Sequence, residues 1–223
     1  LLLFVATIPF LDGGLDIRLQ SLFHRSSGAA WPYESWPLWK FLYTFGTWPA
    51  LIVAAAALVA FIKGSRHPTV ATWRRHCLYL VLVLALGPGL LVNTIFKDHW
   101  GRPRPRQVAE FGGQWQFRHI LERGTPGKGK SFPCGHSSTG YYFAAFYFLL
   151  RRHRQSLAIL TLAGTAIYGT LIGIARMAAG AHFASDVLWS AVFPAFSAFI
   201  LYYFILRIPY HEDRLDRSPP ATS

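Results

Sequence analysis

Long apolar runs separated by short polar and basic stretches dominate the chain. Residues 38–62, 78–96, 157–174 and 183–208 each read as a membrane-spanning helix. Residues 138–150, with a few before them, read as another, rich in Tyr and Phe. Residues 1–11 are apolar but would reach only about 16 Å as a helix, too short to span. They read as the end of a truncated first transmembrane helix, since the sequence begins at Leu1 without a Met. A signal-peptide remnant is the alternative, although no small-residue cleavage site follows. The pattern predicts an all-α polytopic membrane protein, a six-transmembrane-helix bundle with its chemistry at one membrane face. One domain covers residues 1–208, and the polar stretch 209–223 is expected to be a disordered cytoplasmic tail. Gly87-Pro88-Gly89 is expected to kink the third span. Between the first two spans, Leu15, Leu19, Leu22 and Phe23 recur at helical spacing with Asp16, Arg18 and Gln20 among them, which predicts a short amphipathic helix in the interface. Trp31, Tyr33, Trp36 and Trp39 read as an interfacial aromatic belt.

Composition agrees with a membrane protein. The 223 residues are 52% hydrophobic and only 14% charged, with a mean hydropathy of +0.29; soluble domains carry about a quarter charged residues. The net charge of +12 would fit a nucleic-acid binder, but the basic residues sit between apolar runs rather than along one polar face, so nucleic acid is excluded. The basic segments 63–76 and 151–156 and the tail belong in the cytoplasm by the positive-inside rule. Segments 12–37, 97–137 and 175–182 then share the opposite face. The 97–137 segment is itself strongly basic. That departure assigns its cations to a ligand rather than to topology. Cys77 and Cys134 fall on opposite faces, roughly 30 Å apart, so no disulfide is expected between them.

Three segments on that outer face carry polar chemistry. Residues 97–106, Lys-Asp-His-Trp-Gly-Arg-Pro-Arg-Pro-Arg, follow directly on an apolar run, and their prolines argue against a regular helix past Gly101. A rigid cationic loop of this kind can gather Lys and Arg around one phosphate; a charge cluster that merely anchors the chain is the alternative. Residues 131–138, Ser-Phe-Pro-Cys-Gly-His-Ser-Ser, place His136 at a helix start, with Ser137 and Ser138 suited to cap it. A protonated His136 beside a phosphate ester would serve as a general acid; an ordinary capped turn is the bland reading. His182 and Asp186 are four residues apart, on one helix face. The carboxylate would fix the imidazole tautomer and leave the other nitrogen free to attack. A lone interfacial His satisfied by backbone would look similar, but Arg176 six residues earlier favours a site.

The order and spacing of these residues resemble the three-part signature of the type 2 phosphatidic acid phosphatase superfamily: Lys97, six residues, Arg104-Pro105; Pro133-Cys134-Gly135-His136; and Arg176, five residues, His182, three residues, Asp186. The resemblance extends to the helix layout. It implies a metal-independent phosphomonoesterase, without cofactor, acting on a phosphorylated lipid. His182 would form a phosphohistidine, Asp186 would orient it, and His136 would protonate the leaving oxygen. Lys97, Arg104 and Arg176, with Cys134 and Gly135, would hold the phosphoryl group. Arg102 is a further candidate contact, Arg104 holding the matching position. Two departures stand out: Cys134 and Ala175 occupy positions where the family usually has Ser.

Within the family, residues 97–105, Phe111-Gly112-Gly113 and residues 132–136 most resemble bacterial lipid A phosphatases. That implies a bacterial inner-membrane enzyme with its site facing the periplasm. Arg102, Arg106, Arg118, Arg123, Lys128 and Lys130 would suit a headgroup with a second phosphate or several sugars, with Trp115 and Phe117 resting on a sugar or on acyl chains. Undecaprenyl pyrophosphate, phosphatidylglycerol phosphate and phosphatidic acid are the rival substrates, and phosphotransfer to another lipid the rival reaction. An anion transporter is the rival from another class, but it would place polar residues along the middle of the spans.

Overall fold

The structure, a computed structural model, describes residues 2–64 and 73–217. Among these the regular structure is helical, apart from an isolated bridge between Val108 and Trp115. Helices α1 (Leu2–Thr7) and α2 (Gly14–Ser21) are short. Helices α3 (Pro37–Phe45) and α4 (Trp48–Lys63) run on as one apolar element, Pro37–Lys63. Helix α5 begins at Arg74 and extends to His99. Helices α6 (Gly135–Tyr141) and α7 (Ala144–Leu150) are separated by a turn. The longest helix is α8 (Gln155–Ala178); α9 covers Ala184–Ile205, its last turn π-helical, and α10 covers Ile208–Arg217.

Four helices among the described residues are long and apolar enough to cross a membrane, not the six expected: Pro37–Lys63, Arg74–His99, Gln155–Ala178 and Ala184–Ile205. The region read as a fourth span is broken between α6 and α7, and each piece has only 7 residues, about 10 Å of helix. Helix α1 is shorter still. Part of the basic 63–76 segment lies outside the described residues.

The helix runs on through the Gly-Pro-Gly stretch of α5, and two other local expectations change. Pro88 has no N–H to give and its ring crowds the carbonyl one turn back. The helix absorbs this by winding as a π-helix over Ala85–Phe96. Asn93 and Thr94 donate through their side chains to the Pro88 and Gly89 carbonyls, at 2.7 and 3.3 Å. Helix α2 does not lie with its polar side in the interface. Asp16 and Gln20, one turn apart, are both fully buried, and Gln20 Nε2 donates to the Met177 carbonyl at 2.8 Å. Of the tail expected to be disordered, residues 209–217 lie in α10, where Glu212 meets His76 at 3.1 Å and the Tyr202 hydroxyl at 3.3 Å, and residues 218–223 lie outside the described residues.

Close helix approach holds the bundle together. A Cβ on Gly140 would come within 2.8 Å of the Gly169 backbone, and one on Gly87 within 2.9 Å of the Pro194 backbone. Small residues let helices meet where there is no hydrophobic driving force between them. Away from the site, Tyr79, Val83, Tyr142, Leu201 and Tyr202 form the largest buried apolar cluster. Gly140→Ala should cost roughly 1–3 kcal/mol by overpacking, because backbone on both sides cannot yield. A thermal melt of the detergent-solubilised protein should drop by several degrees; an unchanged melt would mean that α6 and α8 are not in backbone contact.

Candidate active site

The helix ends bring the predicted residues together. Lys97 lies at the C-terminal end of α5, Arg176 in the last turn of α8 and Asp186 in the first turn of α9. Gly135 and His136 open α6. Arg104 comes from the irregular segment after α5, just ahead of a short 3₁₀ turn at Pro105–Gln107.

His182 is 1% exposed. Its Nδ1 lies 2.5 Å from the Ser131 carbonyl. A carbonyl can only accept, so Nδ1 carries the proton and Nε2 keeps the lone pair. The expected direct partner is displaced. Asp186 Oδ2 is 4.0 Å from Nδ1 and instead accepts the Ser131 hydroxyl at 2.6 Å and the Phe183 N–H at 2.8 Å. Asp186 therefore acts on the imidazole through Ser131, whose hydroxyl and carbonyl meet the carboxylate and the ring. Burial first, then the charges of Arg176, Lys97 and Arg104, holds the His182 imidazole well below its ordinary pKa. The ring is neutral, as a nucleophile must be.

His136 is half-buried and stacks on Tyr43, with ring centroids 5.2 Å apart and 25° between planes. The Arg176 guanidinium lies 4.3 Å from the same Tyr43 ring. Burial, then Arg176 and Lys97, pushes His136 down to about 4. Without an anion this imidazole is neutral too. Lys97 Nζ donates to Asn93 Oδ1 at 3.3 Å. That oxygen would lie 2.3 Å from any Cβ at Gly135, so Gly135 is what lets Asn93 hold the lysine. Arg176 Nε is a buried donor with no protein acceptor among the described residues. Cys134 is fully buried, and burial pushes its thiol up to about 11. It and Cys77 are free thiols.

Other expectations are revised. Ser137 and Ser138 do not cap α6: they lie inside it and donate to the Gly169 and Gly135 carbonyls at 2.7 and 2.8 Å. Arg102 does not face a substrate. It is fully buried, its guanidinium donating to Asp186 at 2.6 Å, Asp16 at 2.8 Å, Ser185 at 2.8 Å and the Arg118 carbonyl at 2.9 Å. Phe117 packs on Phe183, with Arg102 5.5 Å from its ring, rather than offering a platform. Most of the additional outer cations have protein partners: Arg106 with Glu34, Arg118 with Glu122, Lys130 with Asp98, and Arg123 with the His99 carbonyl. Trp115 is half-buried and lines a cavity of about 250 Å³ with Gly101, Pro103, Arg118 and Lys128. The roles of Asp16, Ser185, Asn93 and Tyr43 were not foreseen. For Asp16 alone there was a signal, the polar spacing of four to Gln20 on a helix otherwise read as amphipathic.

This fold and site define a membrane lipid phosphatase class: the chain belongs to the PAP2 superfamily, which matches residues 76–209. It is 32% identical to a lipid A 4'-phosphatase of Francisella tularensis subsp. novicida, over 92% of this chain and 92% of that protein. A lipid A 4'-phosphatase of Rhizobium leguminosarum is 37% identical over 52% of this chain and 50% of its own length. A lipid A 1-phosphatase of Rhizobium etli is 34% identical over 63% and 54%. No solved structure gives a significant match. The chain is a phosphatase.

The depressed His136 pKa has a testable sign. A bound dianion offsets Arg176 and Lys97, raises that pKa and favours the protonated ring. Anion affinity should therefore fall as pH rises, by up to about tenfold per unit for one linked proton. Sulfate, which does not titrate in this range, is the suitable probe. Its calorimetric affinity between pH 5 and 8 should show that slope, and His136→Gln should make it shallower; equal slopes would remove His136 from the anion site.

Proposed function

We propose that this phosphatase removes a phosphate monoester from lipid A at the periplasmic face of the bacterial inner membrane, by way of a phosphohistidine. The observation that carries the mechanism is the convergence of Lys97, Arg104 and Arg176 on a buried, neutral His182 whose Nδ1 proton is already engaged. Nε2 gives its electron pair to phosphorus. The ester P–O bond breaks, its pair stays on the lipid oxygen, and His136 supplies the proton. Water then attacks the phosphohistidine and releases phosphate. Lys97, Arg104 and Arg176 hold the phosphoryl oxygens, with Cys134 and Gly135 beside them at the start of α6, and stabilise charge in transit. His136 becomes a competent acid only when the phosphate dianion is present, which ties proton delivery to substrate binding.

The substrate reading leans on the relatives, because the outer cations that would have argued for a large anionic headgroup are mostly paired. The 4' position is favoured by the relative that matches along nearly the whole chain. The six-span topology and the single domain over 1–208 belong to the same proposal. Residues 138–150 cross despite their break, and segments 12–37, 97–137 and 175–182 face the periplasm. No cofactor or metal enters this chemistry. Three cations around the phosphate would repel a divalent ion, and no group of three or more His, Cys, Asp or Glu suited to a metal occurs among the described residues.

His182→Ala should lower turnover by at least about a thousandfold while the protein still inserts and folds, and acid-quenched wild type should carry an acid-labile phosphate that the variant lacks. Normal phosphate release by the variant would remove His182 from the reaction. For the substrate, mass spectrometry of lipid A from cells expressing the enzyme should show species lighter by one phosphate, and the purified activity should persist in EDTA. Fully phosphorylated lipid A together with hydrolysis of undecaprenyl pyrophosphate in vitro would transfer the assignment to that lipid.

A further inference from the structure

We propose that Asp16 and Arg102 form a buried positioning pair that sets the orientation and net charge of Asp186 behind the nucleophile, which makes helix α2 part of the catalytic apparatus. The inference rests on the role proposed above for His182.

Asp16, Arg102, Ser185 and Asp186 are each fully buried. Arg102 bridges the two acids, Nη1 to Asp186 Oδ1 at 2.6 Å and Nη2 to Asp16 Oδ2 at 2.8 Å. Asp16 Oδ1 accepts the Ser185 N–H at 2.9 Å. Because Arg102 already donates to Ser185 Oγ at 2.8 Å, the Ser185 proton is directed to Asp16 Oδ2, 2.5 Å away. Asp186 Oδ2 accepts from Ser131 Oγ and the Phe183 N–H. All four carboxylate oxygens thus meet donors, which is the bonding pattern of two ionised acids.

One guanidinium facing two carboxylates leaves one surplus negative charge. That charge sits behind His182, with Asp186 4.0 Å from Nδ1. The opposing groups around His182 are Arg176, Lys97 and Arg104, all cations. When Nε2 bonds to phosphorus, the ring turns cationic. Arg102 and Asp186 alone would cancel and leave no net negative charge on the Nδ1 side of that ring. Asp16 supplies the surplus. Arg102 in turn keeps the two acids from being an unpaired buried pair, and its fixed fork holds Asp186 where Ser131 can reach both it and the ring. Asp16 lies outside the matched segment 76–209.

The test is kinetic, on the full-length enzyme in detergent, with rates normalised to folded protein by size exclusion. Asp16→Asn keeps the shape and removes the charge. Its kcat and its single-turnover rate of phosphohistidine formation should fall together by about tenfold or more. KM and the inhibition constant for inorganic phosphate should stay within about twofold, because Lys97, Arg104 and Arg176 are untouched. A purely structural role predicts the opposite, an earlier melt with wild-type kcat in the folded fraction, and would overturn the inference. If Asp16→Asn does not accumulate as folded enzyme, Asp16→Ser, which also removes the charge, gives the same readout. A drop in kcat of about tenfold or more at constant phosphate inhibition supports the pair, whereas full kcat overturns it. His182→Ala is run alongside. Activity in that variant would defeat the phosphohistidine reading itself, whereas an inactive His182→Ala beside a fully active Asp16→Asn would defeat the pair alone.

Discussion

A guanidinium with no solvent exposure, held between two carboxylates that have none either, is the constraint on which the outer end of this molecule depends. Burying any one of these charges alone would cost several kcal/mol. The three are tolerable only together, and only with every remaining lone pair met. That requirement draws in pieces distant in sequence: α2 through Asp16, the segment after α5 through Arg102, and the start of α9 through Ser185 and Asp186. Ser131 then connects the cluster to His182. The loop carrying Arg104 is thereby fastened at Arg102, two residues earlier.

The same end of the bundle carries the opposite problem in front of His182. Lys97, Arg104 and Arg176 repel one another; beside burial, all three lower the His182 pKa, and Arg176 and Lys97 lower that of His136. Nothing among the described residues neutralises them fully. Lys97 has only an amide oxygen, Arg176 rests on an aromatic face, and its Nε has no protein acceptor among the described residues. A phosphate dianion would relieve this stored repulsion, so in the proposed mechanism binding and proton supply follow from one electrostatic imbalance. Surplus negative charge behind the imidazole and surplus positive charge in front of it form a gradient along the direction in which the electron pair moves.

The residues that touch phosphate in this scheme were legible in the sequence because motif spacing and apolar runs fix them directly. Lys97 ends one run, His136 opens another, and Arg176 and Asp186 flank a short turn. The supporting residues were not. Arg102 and Arg104 look alike in an Arg-Pro-Arg-Pro string, and only the tertiary pairing of Arg102 with Asp16 and Asp186 separates their roles. Asp16 itself reads as the polar side of a surface helix, since local periodicity cannot tell which partner a carboxylate will meet 169 residues away at Ser185. Spans were legible by composition, but continuity was not. The turn at Tyr142–Phe143 divides a run that hydropathy alone joins, and the π-helix carries α5 through a Pro-containing run that sequence rules mark as a kink.

Cys134 and Ala175 replace hydroxyls that the family usually has, and the proposed anion site tolerates both changes for a structural reason. The Cys134 thiol is held neutral by burial, so it adds no negative charge opposite a phosphate. Its N–H already bonds Ser190 Oγ at 2.9 Å, so the backbone at this position is not a donor that the missing hydroxyl would have supplemented. Ala175 is 2% exposed, on the side of α8 packed into the bundle, while Arg176, the next residue, is half-buried and stacked on Tyr43. The proposed anion site rests on side-chain cations, and a charge-assisted contact is about twice as strong as a neutral hydroxyl bond. On that proposal, losing two hydroxyls would trim the affinity for phosphate; losing the arrangement of Lys97, Arg104 and Arg176 would remove the site.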